Sequence, residues 1–115
     1  MPPVDDITRV RHIIGACETA LEVTKGRKRA DLDRDVVLGL ALVRLVEVIG
    51  EAAWGVSEGL RARHPDVPWR DIVAMRNRLI HGYFDVNLDR VWDTITSEVP
   101  HLLSQMKELL SEESP

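Results

Sequence analysis

The hardest constraint on this chain is an apolar stretch that is spaced as a helix but does not keep its apolar residues to one side. Residues 36–43 run Val-Val-Leu-Gly-Leu-Ala-Leu-Val without interruption. Wound at about 100° per residue, the segment is apolar almost all round as far as Ile49. A helix of that kind has more than one buried side. In a 115-residue chain one side faces the chain's own core, and the second is expected to meet another copy. With Asp33 as its cap and a continuous course to about His64, this helix would be ~45 Å long.

The flanking segments are helical too. Ile7, Val10, Ile13, Ile14, Cys17 and Leu21 recur at spacings of three and four, marking one face of a first helix. Asp5 or Asp6 can cap it and Gly26 can end it. His64-Pro65-Asp66-Val67-Pro68 breaks the long helix, and Pro68 suits the first turn of the next. Trp69, Ile72, Val73, Leu79 and Ile80 supply that helix's buried face, and Gly82 is its expected stop. Asn87 can cap a last helix carrying Leu88, Val91, Trp92, Ile95, Val99, Leu102, Leu103, Met106, Leu109 and Leu110, with a kink or split at Pro100. No alternating strand pattern is present. The expectation is one all-α domain spanning 1–115, an antiparallel bundle of four to five helices, homodimeric, with a frayed tail over 111–115.

Composition narrows the function classes. The formal net charge of −4 argues against a protein that coats nucleic acid nonspecifically. The single cysteine, Cys17, excludes an internal disulfide and suits a reducing compartment. The acidic start lacks an apolar signal region, and no apolar run is long enough to span a bilayer. A soluble cytoplasmic protein with no membrane partner is expected. His12, His64 and His101 show no metal-like spacing with one another or with Cys17, so no metal is expected. No glycine-rich phosphate loop is present. Gly50, Gly55 and Gly59 read as helical positions that permit close packing. Trp54, Trp69 and Trp92 read as core or interface.

Chemistry concentrates in Arg76-Asn77-Arg78-Leu79-Ile80-His81-Gly82-Tyr83, which holds two arginines, an amide, a histidine and the chain's only tyrosine. An imidazole moves protons near neutral pH, and a guanidinium holds a phosphate in a planar fork. From Arg61 to His81 five arginines stand against two acids, a +3 island on an otherwise acidic chain. Such an island suits selected phosphates without general affinity for nucleic acid. On a continuous helix His81 would lie roughly 140° round from Arg76, so the two would diverge around a ligand. Taken singly, His81 reads first as a helix C-cap, Arg76 and Arg78 as solvated surface, and Tyr83 as a half-buried aromatic; it is their co-occurrence that points to a site. Arg44, Glu47, Glu51 and Glu58 form a polar stripe on the long helix. The stripe reads either as ion pairs facing water or as a charged wall orienting the arginine–histidine segment. The basic link Lys25-Gly26-Arg27-Lys28-Arg29 reads either as a solvated loop or as an RNA-backbone contact.

The octapeptide resembles the Arg-x4-His-x-Tyr motif of HEPN-domain proteins, and more closely the HepT-like ribonuclease toxins. The resemblance extends through Val48-Ile49-Gly50-Glu51-Ala52-Ala53, His64-Pro65-Asp66-Val67-Pro68-Trp69-Arg70 and Leu88-Asp89-Arg90-Val91-Trp92. It implies a homodimer whose two motifs share a cleft, acting as a metal-independent endoribonuclease without a cofactor. Arg76 and His81 would be the catalytic pair, with Asn77, Arg78 and Glu51 in support. It further implies a type VII toxin–antitoxin pair with an MntA-like nucleotidyltransferase that silences the toxin by AMPylating Tyr83. The alternative is a noncatalytic HEPN module binding a nucleotide or a partner protein.

Overall fold

The computed structural model describes residues 4–81 and 85–114. Tyr83, together with Gly82, lies outside them. Helix α1 (Asp6–Thr24) starts where the Asp5 carboxylate accepts the backbone N–H of Thr8 at 2.7 Å. It buries Val10, Ile13, Ala16, Cys17 and Ala20. The chain turns at Gly26, whose φ of 75° is a conformation that glycine adopts without strain. A single 3₁₀ turn, Arg29–Asp33, follows. Arg29 is bonded to Asp89 at 2.6 Å and to Asp33 at 3.2 Å, and Arg27 stands 3.6 Å from Asp35. Two cations of the basic link are therefore engaged within the chain.

Helix α2 (Val36–Trp54) is capped by Asp35, two residues later than the sequence suggests, through the N–H of Leu38 at 3.0 Å. It does not continue to His64. The chain leaves the helix at Gly55 and restarts at Ser57, whose hydroxyl caps α3 (Glu58–Arg63). The Asp6 carboxylate fixes this break by accepting from Ser57 N at 2.9 Å and Ser57 Oγ at 2.6 Å. Gly55 sits against the Arg9 side chain, whose guanidinium would have to shift to admit a Cβ there. Gly55 is thus a helix end, and Glu58 belongs to a separate helix outside the polar stripe.

Helix α4 (Trp69–Leu79) follows Pro68 and packs against α2. The approach is close at Gly50, where an added Cβ would lie 3.4 Å from the Val73 carbonyl oxygen. Helix α4 ends at Leu79, before the expected stop, and Ile80 is extended with φ −128°. Ile80 pairs with Val86 in an isolated antiparallel bridge. His81 N donates to Asp85 O at 2.8 Å, and Asn87 N donates to Leu79 O at 2.8 Å. These bonds close the base of a short excursion that carries His81 out of the helix.

Asn87 caps α5 (Leu88–Asp93), which runs through a π turn (Thr94–Glu98) into α6 (Val99–Glu113). The π turn places Val99 N on Thr94 O. Pro100 has no N–H to give its preceding turn, and the wider winding falls just where that bond is missing. The run is loosened there and stays whole. Counted as one kinked helix, it makes five with α1 to α4, an all-α bundle. The core lies where α1 meets α2 and α6 and where α2 meets α4. Ile13, Leu42, Ile49, Leu79, Ile95 and Met106 are fully buried there, each contributing about 1.5–3 kcal/mol. The tail is anchored through Glu113, whose carboxylate takes Arg63 at 2.8 Å and lies 2.8 Å from His64 Nε2. The expected fraying therefore does not extend over residues 111–113.

Candidate functional site: an arginine groove between α2 and α4

Helix α4 packs over α2 at Gly50, and the two helices frame an open groove of about 230 Å³. Glu47, Glu51 and Trp54 line it from α2, and Val73, Arg76 and Asn77 from α4. Offsets of three, four and seven put Glu47, Glu51 and Trp54 on one side of α2. The Arg76 guanidinium lies 3.6 Å from the Glu47 carboxylate and remains about half exposed. Glu51 instead faces Arg44 at 3.6 Å. The polar stripe is thus both things at once: Arg44–Glu51 is an intrahelical pair facing water, and Glu47 is a wall against Arg76. Contacts this long and this exposed contribute little to stability, so Arg76 keeps donors to offer an anionic ligand.

The structure brings Arg76, Asn77 and Glu51 to one groove. His81 is exposed on the loop just beyond α4. Because the helix stops at Leu79, the 140° divergence expected of a continuous helix does not apply, and His81 stands one residue past the C-cap, Ile80, at the carbonyl end of α4. Arg78 turns to the other side of α4. It stands 3.6 Å from Glu98, donates to the Asp71 carbonyl at 3.3 Å, and lines a separate cleft of about 280 Å³ with His101. Tyr83 lies outside the described residues. The residue that sequence reasoning left out of the site is Glu47, the carboxylate nearest Arg76; its place in the stripe was the available signal.

Burial pushes the Cys17 thiol up to about 12, so it is an inert core group. Among the described residues, no three His, Cys, Asp or Glu side chains cluster as a metal site would require. No helix among them is long and apolar enough to cross a membrane.

An all-α bundle with a half-exposed arginine and an amide in a groove, followed by a histidine on a clasped loop, defines a helical domain equipped to meet an anionic ligand. The particular lineage is given by comparison. The family described as HepT-like, Ribonuclease HepT-like, matches residues 13–109, and the chain belongs to that family. It is 43% identical over 104 residues to "Putative RNase TTE0752" of Caldanaerobacter subterraneus subsp. tengcongensis, covering 90% of this chain and 93% of that protein. It is 33% identical over 97 residues to "Probable ribonuclease HepT" of Thermococcus cleftensis, covering 84% and 88%. "Putative RNase MJ0127" of Methanocaldococcus jannaschii is 28% identical over 112 residues, covering 97% and 93%. No solved structure matches the chain significantly.

Proposed function

We propose that this protein is a metal-independent endoribonuclease of the HepT type, the toxin of a type VII toxin–antitoxin pair, acting as a homodimer. The observation that carries the reading is the half-exposed Arg76 beside Asn77 in an open groove, within the part of the chain that matches the HepT-like family. In the proposed reaction His81 removes the proton from a ribose 2′-hydroxyl. The 2′-oxygen attacks the adjacent phosphorus, the bond to the 5′-oxygen breaks, and that oxygen leaves as a hydroxyl after taking a proton. The products are a 2′,3′-cyclic phosphate and a 5′-hydroxyl end. Arg76 stabilises the charge that builds on the phosphoryl oxygens. Asn77 positions the scissile group, Glu47 and Glu51 hold the wall of the groove, and Arg78 adds positive field from the far side of α4.

Dimerisation would supply two such motifs to one cleft. Val36, Val37 and Leu40 are 72%, 76% and 65% exposed on α2, an apolar surface of the kind a second copy covers. The off-switch in this scheme is transfer of AMP from ATP to the Tyr83 hydroxyl by an MntA-like nucleotidyltransferase, with pyrophosphate leaving. A bulky anion there would occupy the cleft and neutralise its arginines.

The test is cleavage of RNA by purified protein in chelator, compared with His81→Ala and Arg76→Ala, with analysis of the product ends. Cyclic-phosphate ends that vanish in both variants support the reading. Cleavage unchanged in His81→Ala sinks the mechanism. RNA binding with no cleavage by wild type leaves the noncatalytic module. Co-expression with the nucleotidyltransferase, followed by intact-mass mapping, tests Tyr83.

A further inference from the structure

The three tryptophans have different fates. Trp69 is buried, and its indole N–H donates to the His64 carbonyl at 3.1 Å. Trp92 is partly buried against the core. Trp54 is 72% exposed. Leaving an indole in water forfeits a large burial gain, so its position calls for an account beyond packing.

That position is in the arginine groove. Trp54 is the last residue of α2 and lines the same wall as Glu51, across from Arg76 and Asn77. Its backbone is clamped. Arg61 Nη2 donates to Ala53 O at 2.6 Å and to Trp54 O at 3.1 Å, while Gly55 N returns to Glu51 O and Ala52 O. The result is a flat aromatic face held on a rigid helix end with its ring free.

A contact between copies of the chain is the competing account, and two facts set Trp54 apart from the apolar surface that would carry it. The exposed apolar cluster of Val36, Val37 and Leu40 lies at the opposite end of α2, with Leu40 ~21 Å from Trp54 along the helix axis. Arg44, Glu47 and Glu51 stand between them on the same side. Trp54 thus adjoins charged and amide groups that suit a nucleotide, not the apolar surface.

We infer that Trp54 is a substrate-binding residue: it stacks an unpaired base next to the phosphate held by Arg76, and so selects single-stranded over duplex RNA. The inference rests on the ribonuclease reading of the same groove. Stacking needs a base out of its helix, because in a duplex both base faces are already covered. An indole face accepts any base, so Trp54 contributes affinity and strand selection without fixing a sequence.

The experiment compares wild type, Trp54→Ala and Trp54→Phe on a single-stranded RNA, after thermal melts verify folding. Trp54→Ala is expected to raise KM about tenfold, on the scale of a lost base–aromatic stack, with kcat nearly unchanged. Trp54→Phe is expected to recover most of that loss. In parallel, tryptophan fluorescence is titrated with a 2′-O-methyl oligonucleotide, which has no 2′-hydroxyl to attack. Quenching should occur in wild type, disappear in Trp54→Phe, and be absent with a matched duplex. Quenching without any RNA cleavage would keep the stacking role and remove the ribonuclease reading. Cleavage with an unchanged KM in Trp54→Ala would overturn the stacking role and keep the ribonuclease. A Trp54→Ala protein that loses only its self-association in sedimentation would also overturn it, giving Trp54 to a contact between copies.

Discussion

Two arginine–histidine pairs in this bundle are built from the same residue types and treated in opposite ways. Arg63 and His64 stand at the end of α3 and are consumed by the last turn of α6. Arg63 donates to both Glu113 oxygens, at 2.8 and 3.2 Å, and His64 Nε2 lies 2.8 Å from Glu113 Oε2. The His64 side chain is 9% exposed and that of Glu113 19%. Arg76 meets Glu47 at 3.6 Å and stays 47% exposed, and His81 is exposed on its loop. The difference lies in how much hydrogen-bonding capacity the fold has already used. A pair closely bonded to a carboxylate is a clasp; one held only loosely keeps donors free to bind.

The largest effect separating them is on activity. Arg76→Ala and His81→Ala should each lower RNA cleavage by about 10²–10³-fold, the scale of a lost electrostatic stabiliser or proton-transfer group. Their melting temperatures should barely move, because exposed and loosely paired groups contribute little to folding. A large fall in melting temperature in either variant would erase the contrast.

The mirror experiment targets the clasp. Glu113→Ala should lower the melting temperature by several degrees, since it leaves the buried His64 without its close partner. Specific activity of the folded fraction should hold. If the melt is unchanged, the clasp is decoration.

Acid titration sharpens the same point. Hydrogen bonds from Arg63, and then from His64, hold the Glu113 carboxyl down from 4.5 to about 2. Its folded value lies below its unfolded one. The stabilisation is therefore complete above about 4.5 and is lost as pH falls toward about 2. The gap in melting temperature between wild type and Glu113→Gln should be widest near neutral pH and close across that acid range. A gap that does not depend on pH would mean that charge is not what Glu113 contributes.

How much of this was legible in the sequence depended on whether the signal was local. Helical spacing and the caps at Asp5 and Asn87 were readable because they involve neighbours in the chain. The break at Gly55 was not, because it is fixed by Asp6, 51 residues away, bonding Ser57. The anchored tail has the same cause, since Glu113 is held by Arg63 from 50 residues upstream. Leaving α4 at Leu79 depends on the pairing of Ile80 with Val86 across the loop. The site was legible as a cluster of residue types, and the groove's second wall was legible only as a stripe. Which carboxylate faces Arg76, and that Trp54 is left in water beside it, required the packing of α2 on α4.

Glu47→Gln should give the smallest effect and bears on what makes a loose pair useful. Neutralising a half-exposed partner at 3.6 Å should change stability by no more than ~1 kcal/mol. Two consequences for catalysis oppose one another. Losing the carboxylate frees Arg76 to wander, which lowers kcat; it also removes a negative charge from the groove, which strengthens phosphate binding and lowers KM. A wall that orients the guanidinium predicts that both fall a few-fold, the KM effect shrinking as salt screens it. A carboxylate that merely competes with substrate predicts a lower KM with kcat untouched. Whether kcat falls thus decides if the weak contact at Arg76 merely competes with substrate or is a guide that positions Arg76 while leaving its donors to substrate.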